Sequence, residues 1–356
     1  MSRSIRLPAL RGLVHNLHLS GRVIITRGGL DLRNLVAGRN GPGRRMRLLV
    51  GIVAAGLMAT GCGAPAAPPH PVKLTSAEVT VLTGAVDPVN TAEVSNAFQL
   101  LVERCMESKG FLFYPAFVTA AAVTHPRQVP GVPGAAISLA QREAHGYGFY
   151  SQAVQNAAHP DSQPGVGKEE KYADSLTGAF GIRYRLALDG SDSQRIEVLL
   201  PGGGILYVPD AGCFAVANRR LYGSVANSAE VTTGWSLLYD NLYNTVTSAP
   251  KFAALAASWS SCMAGRGLAY GSPAKLWNSL AKQIYKSPTP AGRDLEIRVA
   301  VADYRCSATV NLVPAVQRLE QEKAQYLSSP LAQYLALVTR VDVGAASIAQ
   351  SLNPPQ

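Results

Sequence analysis

These 356 residues predict a mostly α-helical protein with a small antiparallel β insertion (α+β), built from two duplicated, disulfide-linked helical units. Three observations lead there. Two helical stretches each end in Cys-Met, with a glycine five residues after the cysteine. Two Asp-x-x-Cys segments alternate with them along the chain. Between residues 182 and 208 the apolar residues switch to a spacing of two, the period of a half-buried strand.

The first pair of stretches is Cys105 to Tyr114, CMESKGFLFY, and Cys262 to Tyr270, CMAGRGLAY. Phe98, Leu101 and Val102 share a helical face with Cys105, and Leu255 and Trp259 share one with Cys262. Asn90 with Glu93 suits a capped helix start. Lys109-Gly110 and Arg266-Gly267 are helix stops, a cation in the last turn followed by a glycine able to take positive φ. The second pair is Asp210 to Asn218, DAGCFAVAN, and Asp303 to Asn311, DYRCSATVN, both Asp-x-x-Cys-x-Ala-x-x-Asn. Two matched pairs in one order read as a duplicated unit of roughly 60 residues. The first unit spans 76–248 with an insertion at 115–209, and the second spans 249–356.

Within the insertion, Ser138 to Ala157 is expected to be helical. Three strands should follow: Ile182 to Leu188, Ile196 to Leu200 and Ile205 to Val208, turned by Asp189-Gly190 and by the PGGG at 201–204. The remaining helices are expected at Asn227–Thr247, Pro273–Tyr285, Thr289-Pro290 onward into Cys306, Pro314–Tyr326 and Pro330–Ser351. Thr289-Pro290 supplies a cap and then a proline in the first turn.

The N-terminal region has a different character. Leu48 to Ala59 is an apolar run of 12 residues preceded by Arg44, Arg45 and Arg47. That is too short to span a bilayer, which takes about 20 residues, and suits the apolar region of an export signal. Ala59-Thr60-Gly61-Cys62 then resembles the lipobox of bacterial lipoproteins. The resemblance implies that Cys62 is acylated and becomes the mature N-terminus, with an Ala/Pro-rich tether after it. The expected layout is a non-native extension at 1–45, disordered, a signal peptide at 46–61 starting from Met46, and a tether at 62–75. A rival reading keeps Arg44-Arg45 as part of a signal resembling the twin-arginine type. Residues 1–61 hold ten arginines and one aspartate, so nearly all of the formal +10 lies there and +1 remains from Cys62 onward. The basic pI therefore does not point to nucleic acid, and no nucleic-acid partner is expected.

With Cys62 set aside, Cys105, Cys213, Cys262 and Cys306 remain, and an even number in an exported chain reads as two bridges. Four cysteines allow three connectivities. The duplication favours Cys105–Cys213 and Cys262–Cys306. The crossed alternative, Cys105–Cys306 with Cys213–Cys262, also respects the repeat but would entangle the halves. Buried free thiols are the simpler competitor.

The Cys-Met helices, their glycine stops and the Asp-x-x-Cys segment followed by RRLYG (Arg219 to Gly223) resemble uncharacterised actinobacterial exported lipoproteins. The resemblance runs over most of the chain beyond residue 90. It implies location and cysteine pairing, without an activity.

The residues that carry chemistry are sparse. His70, His125, His145 and His159 lack metal-ligand spacing, so no metal and no cofactor is expected. Ser-x-x-Lys occurs at Ser248/Lys251, Ser272/Lys275 and Ser279/Lys282, without the companion motifs of penicillin-binding enzymes. The Pro201–Ile205 stretch precedes no helix and reads as a turn rather than a phosphate loop. Glu169-Glu170 reads as a solvated face, and Tyr147, Phe149 and Tyr150 as packing of the insertion onto the core. No catalytic residue is assigned. The expectation is a lipid-anchored protein on the outer face of the cell membrane that binds an envelope protein or ligand without catalysis. The alternative is a cell-wall or peptide-acting hydrolase with a dispersed site.

Overall fold

The computed structural model describes residues 70–84, 88–119, 128–158, 167–201 and 203–352. The signal segment, Cys62, His125 and His159 lie outside the described residues, as does the side chain of Asn90. Among the described residues there are thirteen helices and two small antiparallel two-stranded sheets. In chain order these are β1 (Pro71–Lys73), α1 (Ser76–Thr83), α2 (Pro88–Ser108), α3 (Leu139–His145), α4 (Phe149–Ala158), α5 (Lys168–Ser175) and α6 (Gly178–Asp189). Then come β2 (Arg195–Leu199), β3 (Ile205–Pro209), α7 (Gly212–Tyr222), α8 (Val225–Thr247), α9 (Pro250–Ala264), α10 (Pro273–Lys286), α11 (Pro290–Thr309), α12 (Leu312–Ala324), β4 (Tyr326–Ser328) and α13 (Ser329–Leu352).

The Cys-Met helices α2 and α9 stop in the same way. Gly110 and Gly267 both sit at φ 76°, a conformation that costs a residue with a Cβ roughly 1–2 kcal/mol. The carbonyl of Met106 accepts from the amides of Lys109 and Phe111, and that of Met263 from Arg266 and Leu268, all at 3.0 Å. The bond from five residues on is the Schellman closure, which satisfies a carbonyl that the helix end would strand. Met106 and Met263 are fully buried beneath these turns.

The Asp-x-x-Cys segments differ in helix phase. Cys213 is the second residue of α7, whereas Cys306 lies near the end of α11. Gly212 makes the early position possible. It has φ 83°, and a Cβ there would stand 2.4 Å from the Gly190 amide nitrogen at the end of α6. Strain and clash with backbone act together, so Gly212→Ala should cost at least about 2 kcal/mol. Urea denaturation of the oxidised protein checks this, and an unchanged midpoint would show that α6 and α7 can separate freely.

The insertion corrects one expectation. Ile182 to Leu188 is not a strand but the body of α6, leaving β2 and β3 as a two-stranded hairpin. Alternating apolar residues fit both periods, because positions 184 and 188 are also i and i+4 of a helix. Gly181, Tyr184 and Leu188 are the buried face, while Ile182 and Leu186 point outward. The expected helix at 138–157 is likewise divided, into α3 and α4, at Gly146 to Gly148. At the N-terminal end, Pro71–Lys73, which the sequence assigned to the tether, pairs with Tyr326–Ser328.

Three apolar clusters form the interior. The largest joins α8 to α13, with Leu238, Trp259, Leu276, Val316 and Leu335 at its centre. The second joins α2, α6 and α7 around Val102, Met106, Tyr184 and Cys213. A small third cluster seats the β2–β3 hairpin on α7 and α8. Helix α13 belongs to two of them, with Leu335 and Val338 in the first and Ala349 in the second.

Candidate functional site

Cys105 bonds to Cys213 and Cys262 to Cys306, with Cα atoms 5.6 and 5.7 Å apart. Each unit is therefore closed on itself. Cys213 and Cys306 are fully buried.

The densest polar constellation lies beside the second bridge. Helix α11 turns Glu296, Val299, Ala300, Asp303 and Cys306 inward at helical spacing. Two of those five are acids, and each has been given partners. Asp303 Oδ2 accepts from Arg142 Nη1 at 2.6 Å and from the Tyr147 hydroxyl at 2.8 Å. Its Oδ1 accepts from Trp259 Nε1 at 2.9 Å and from Ser307 at 3.3 Å. Arg142 is 3% exposed, and its remaining donors reach the carbonyls of Ile137, Gly134 and Ala300. Its guanidinium also stands 5.0 Å from the Tyr147 ring centroid. Burial first, and then the Asp303 charge, raises the Tyr147 pKa well above the ordinary tyrosine value, so its hydroxyl stays a donor.

Glu296 serves the same joint. Its carboxylate accepts from the amides of Tyr147, Phe149 and Tyr150 at 2.8–2.9 Å. These are the unpaired amides at the start of α4, so an acid from α11 caps a helix of the insertion. Phe149 and Tyr147 pack edge-on against Trp277, with centroids at 4.7 and 4.9 Å. The polar atoms named here are paired, and Arg142, Glu296 and Asp303 are buried. The constellation is a clamp that docks the insertion onto the second unit.

The other sequence candidates fall elsewhere. His70 is exposed ahead of β1, and His145 is exposed at the end of α3. Among the described residues, no group of three or more His, Cys, Asp or Glu could hold a metal ion. Ser272 is spent as the cap of α10, accepting from the Lys275 amide. Ser248 and Ser279 donate to backbone carbonyls of their own turns, and Lys251 pairs with Glu322 at 2.7 Å. No Ser-x-x-Lys pair forms a nucleophile with its base. Glu169 departs from the expected solvated face. It accepts from the Tyr114 amide at 2.8 Å and from the Tyr184 hydroxyl, tying α5 to α6 and to the segment after α2.

Two open hollows stand out among the described residues. One, of about 530 Å³, lies between α9 and α12, and its charged rim includes Lys251, Arg318 and Glu322. The other, of about 290 Å³, lies beside α11 and brings together Arg266, Arg298 and Arg305 over Leu268, Val301 and Ala302. The sequence reading had Tyr147, Phe149 and Tyr150 packing the insertion onto the core, as they do, but it missed the polar clamp around them and this arginine hollow. The clamp had a legible signal, since Glu296 and Asp303 are acids on the inward face of a helix that ends at a bridged cysteine. The hollow had a weaker one, two arginines seven residues apart. No protein-family model, curated protein or solved structure matches this chain.

Proposed function

We propose that this protein is an extracytoplasmic lipoprotein, held at the outer face of the cell membrane through Cys62 and working by binding rather than by catalysis. The observation that carries the reading is Ala59-Thr60-Gly61-Cys62 directly after a 12-residue apolar run with arginines before it. Two disulfides support it, because such bridges persist where the surroundings are oxidising. The binding role draws support from the buried polar groups, which are consumed in docking one part of the fold to another. Among the described residues no helix is long and apolar enough to cross a membrane. The likeness to actinobacterial exported lipoproteins in the Cys-Met and Asp-x-x-Cys units belongs to the same proposal.

Cys62→Ala tests it. The variant should leave the membrane fraction or accumulate unprocessed, while the wild type partitions into detergent and incorporates labelled fatty acid. Normal processing and continued membrane attachment of the variant would remove the anchor.

A further inference from the structure

We propose that the hollow beside α11 binds a small phosphate monoester, with the phosphate held by Arg266, Arg298 and Arg305 and its apolar group laid on Leu268, Val301 and Ala302. The placement follows from the helix. Arg298 and Arg305 are two turns apart on one face of α11, and Val301 and Ala302 lie between them on that face. Arg266 enters from the turn after α9, and Gly267 in its left-handed conformation then carries the chain on to Leu268.

Three guanidiniums around one small hollow repel one another unless an anion lies among them. Among the described residues the guanidiniums of Arg266 and Arg298 engage no partner, and Arg305 has only Glu143 at 3.6 Å, both half-exposed. Their charge is thus largely uncommitted, unlike that of Arg142, whose three guanidinium nitrogens all donate. Guanidinium forks match the paired oxygens of a phosphate, and three of them suit a dianion better than a single carboxylate. The apolar floor asks for more than a bare ion. A volume of about 290 Å³ is at the small end of the range for ligand sites. A phosphodiester, the form phosphate takes in most lipid headgroups, carries one negative charge fewer and suits three guanidiniums less well.

The inference gives a ligand class to the binding role proposed above, and it rests on that reading of the chain as a binder. Its test is independent of the anchor. The full chain, purified in non-ionic detergent, is titrated calorimetrically with inorganic phosphate, butyl phosphate, butanol and glycerophosphoglycerol. Butyl phosphate should bind at one site, more tightly than inorganic phosphate, and butanol should not bind. Arg298→Gln and Arg305→Gln should each weaken butyl phosphate about tenfold or more, with Arg293→Gln on the same helix unchanged. Stronger binding of glycerophosphoglycerol, a diester with a single negative charge, than of butyl phosphate would overturn the monoester assignment, and the reverse order supports it. Absence of binding by all three phosphates, or undiminished binding when Arg266, Arg298 and Arg305 are all glutamine, overturns the proposal. A protein that binds butyl phosphate yet ignores Cys62→Ala would lose its anchor and keep this site.

Discussion

Asp303→Asn should destabilise the folded protein by about 3–5 kcal/mol, the usual cost of stranding one partner of a buried ion pair. Asp303 faces four donors, from α3, the turn after it, α9 and its own helix α11, and Arg142 at 2.6 Å is 3% exposed. Asparagine can still accept from Trp259, but its amide group must then turn its own hydrogens toward Arg142 or Tyr147. The guanidinium is left charged with three carbonyls and no counter-ion. Arg142→Met should cost about as much for the complementary reason, a carboxylate left unpaired in the interior. The double variant should lose less than the two singles added together, because neither charge then remains. Equilibrium urea unfolding of the three variants measures all of this. A single-variant loss below about 1 kcal/mol would mean that water reaches the pair. The same substitutions should make the insertion the first region to exchange amide hydrogens, since the joint is its attachment to the second unit.

Removing either disulfide should have an effect of similar size. The loop-entropy estimate is about 4.8 kcal/mol for a bridge closing 108 residues, Cys105 to Cys213, and about 4.0 kcal/mol for one closing 44, Cys262 to Cys306. The native contacts of Arg142 and Glu296 are lost on unfolding and do not shorten either unfolded loop, so the Cys105–Cys213 value should stay the larger. Paired Cys→Ala variants compared by urea midpoint give the two numbers. A loss under 1 kcal/mol from the Cys105–Cys213 pair would show that α2 and α7 are held by Val102, Met106 and Leu221 alone.

The fold was largely legible where local signals agreed. Cys-Met-x-x-x-Gly stood out because one residue type, glycine, is required at φ 76°, and because a buried methionine and a cysteine must share the preceding face. Pro290 after Thr289 marked the start of α11, and Thr289 caps it by accepting from Gly292. Ile182 to Leu188 misled because four apolar residues two apart satisfy a strand and a helix together. What decided the matter was the fit of Tyr184 against α2 and α7, which no local pattern contains. The clamp was hidden for a similar reason. Arg142 and Asp303 are 161 residues apart, and only the folded chain makes them neighbours. The arginine hollow combines residues of α11 with a turn at 266–268 on the far side of α10, so sequence shows the charges but not their convergence.

The pairing of β1 with β4 has a mechanical meaning. The described fold begins at His70, and the strand after it is three residues long, held to Tyr326–Ser328. Tension transmitted along the chain from the N-terminal side enters the body here. The strands run antiparallel, so a pull on His70 loads the bond from the Ser329 amide first and then opens the ladder one rung at a time. The next resistance is the buried Leu74, whose amide bonds to Gln325, followed by the capped first turn of α1. Both disulfides lie farther along the chain. A tug should therefore peel a short leading strip of a few residues, with α2 to α13 left intact behind it. Under such a load the strip would yield before either bridged unit.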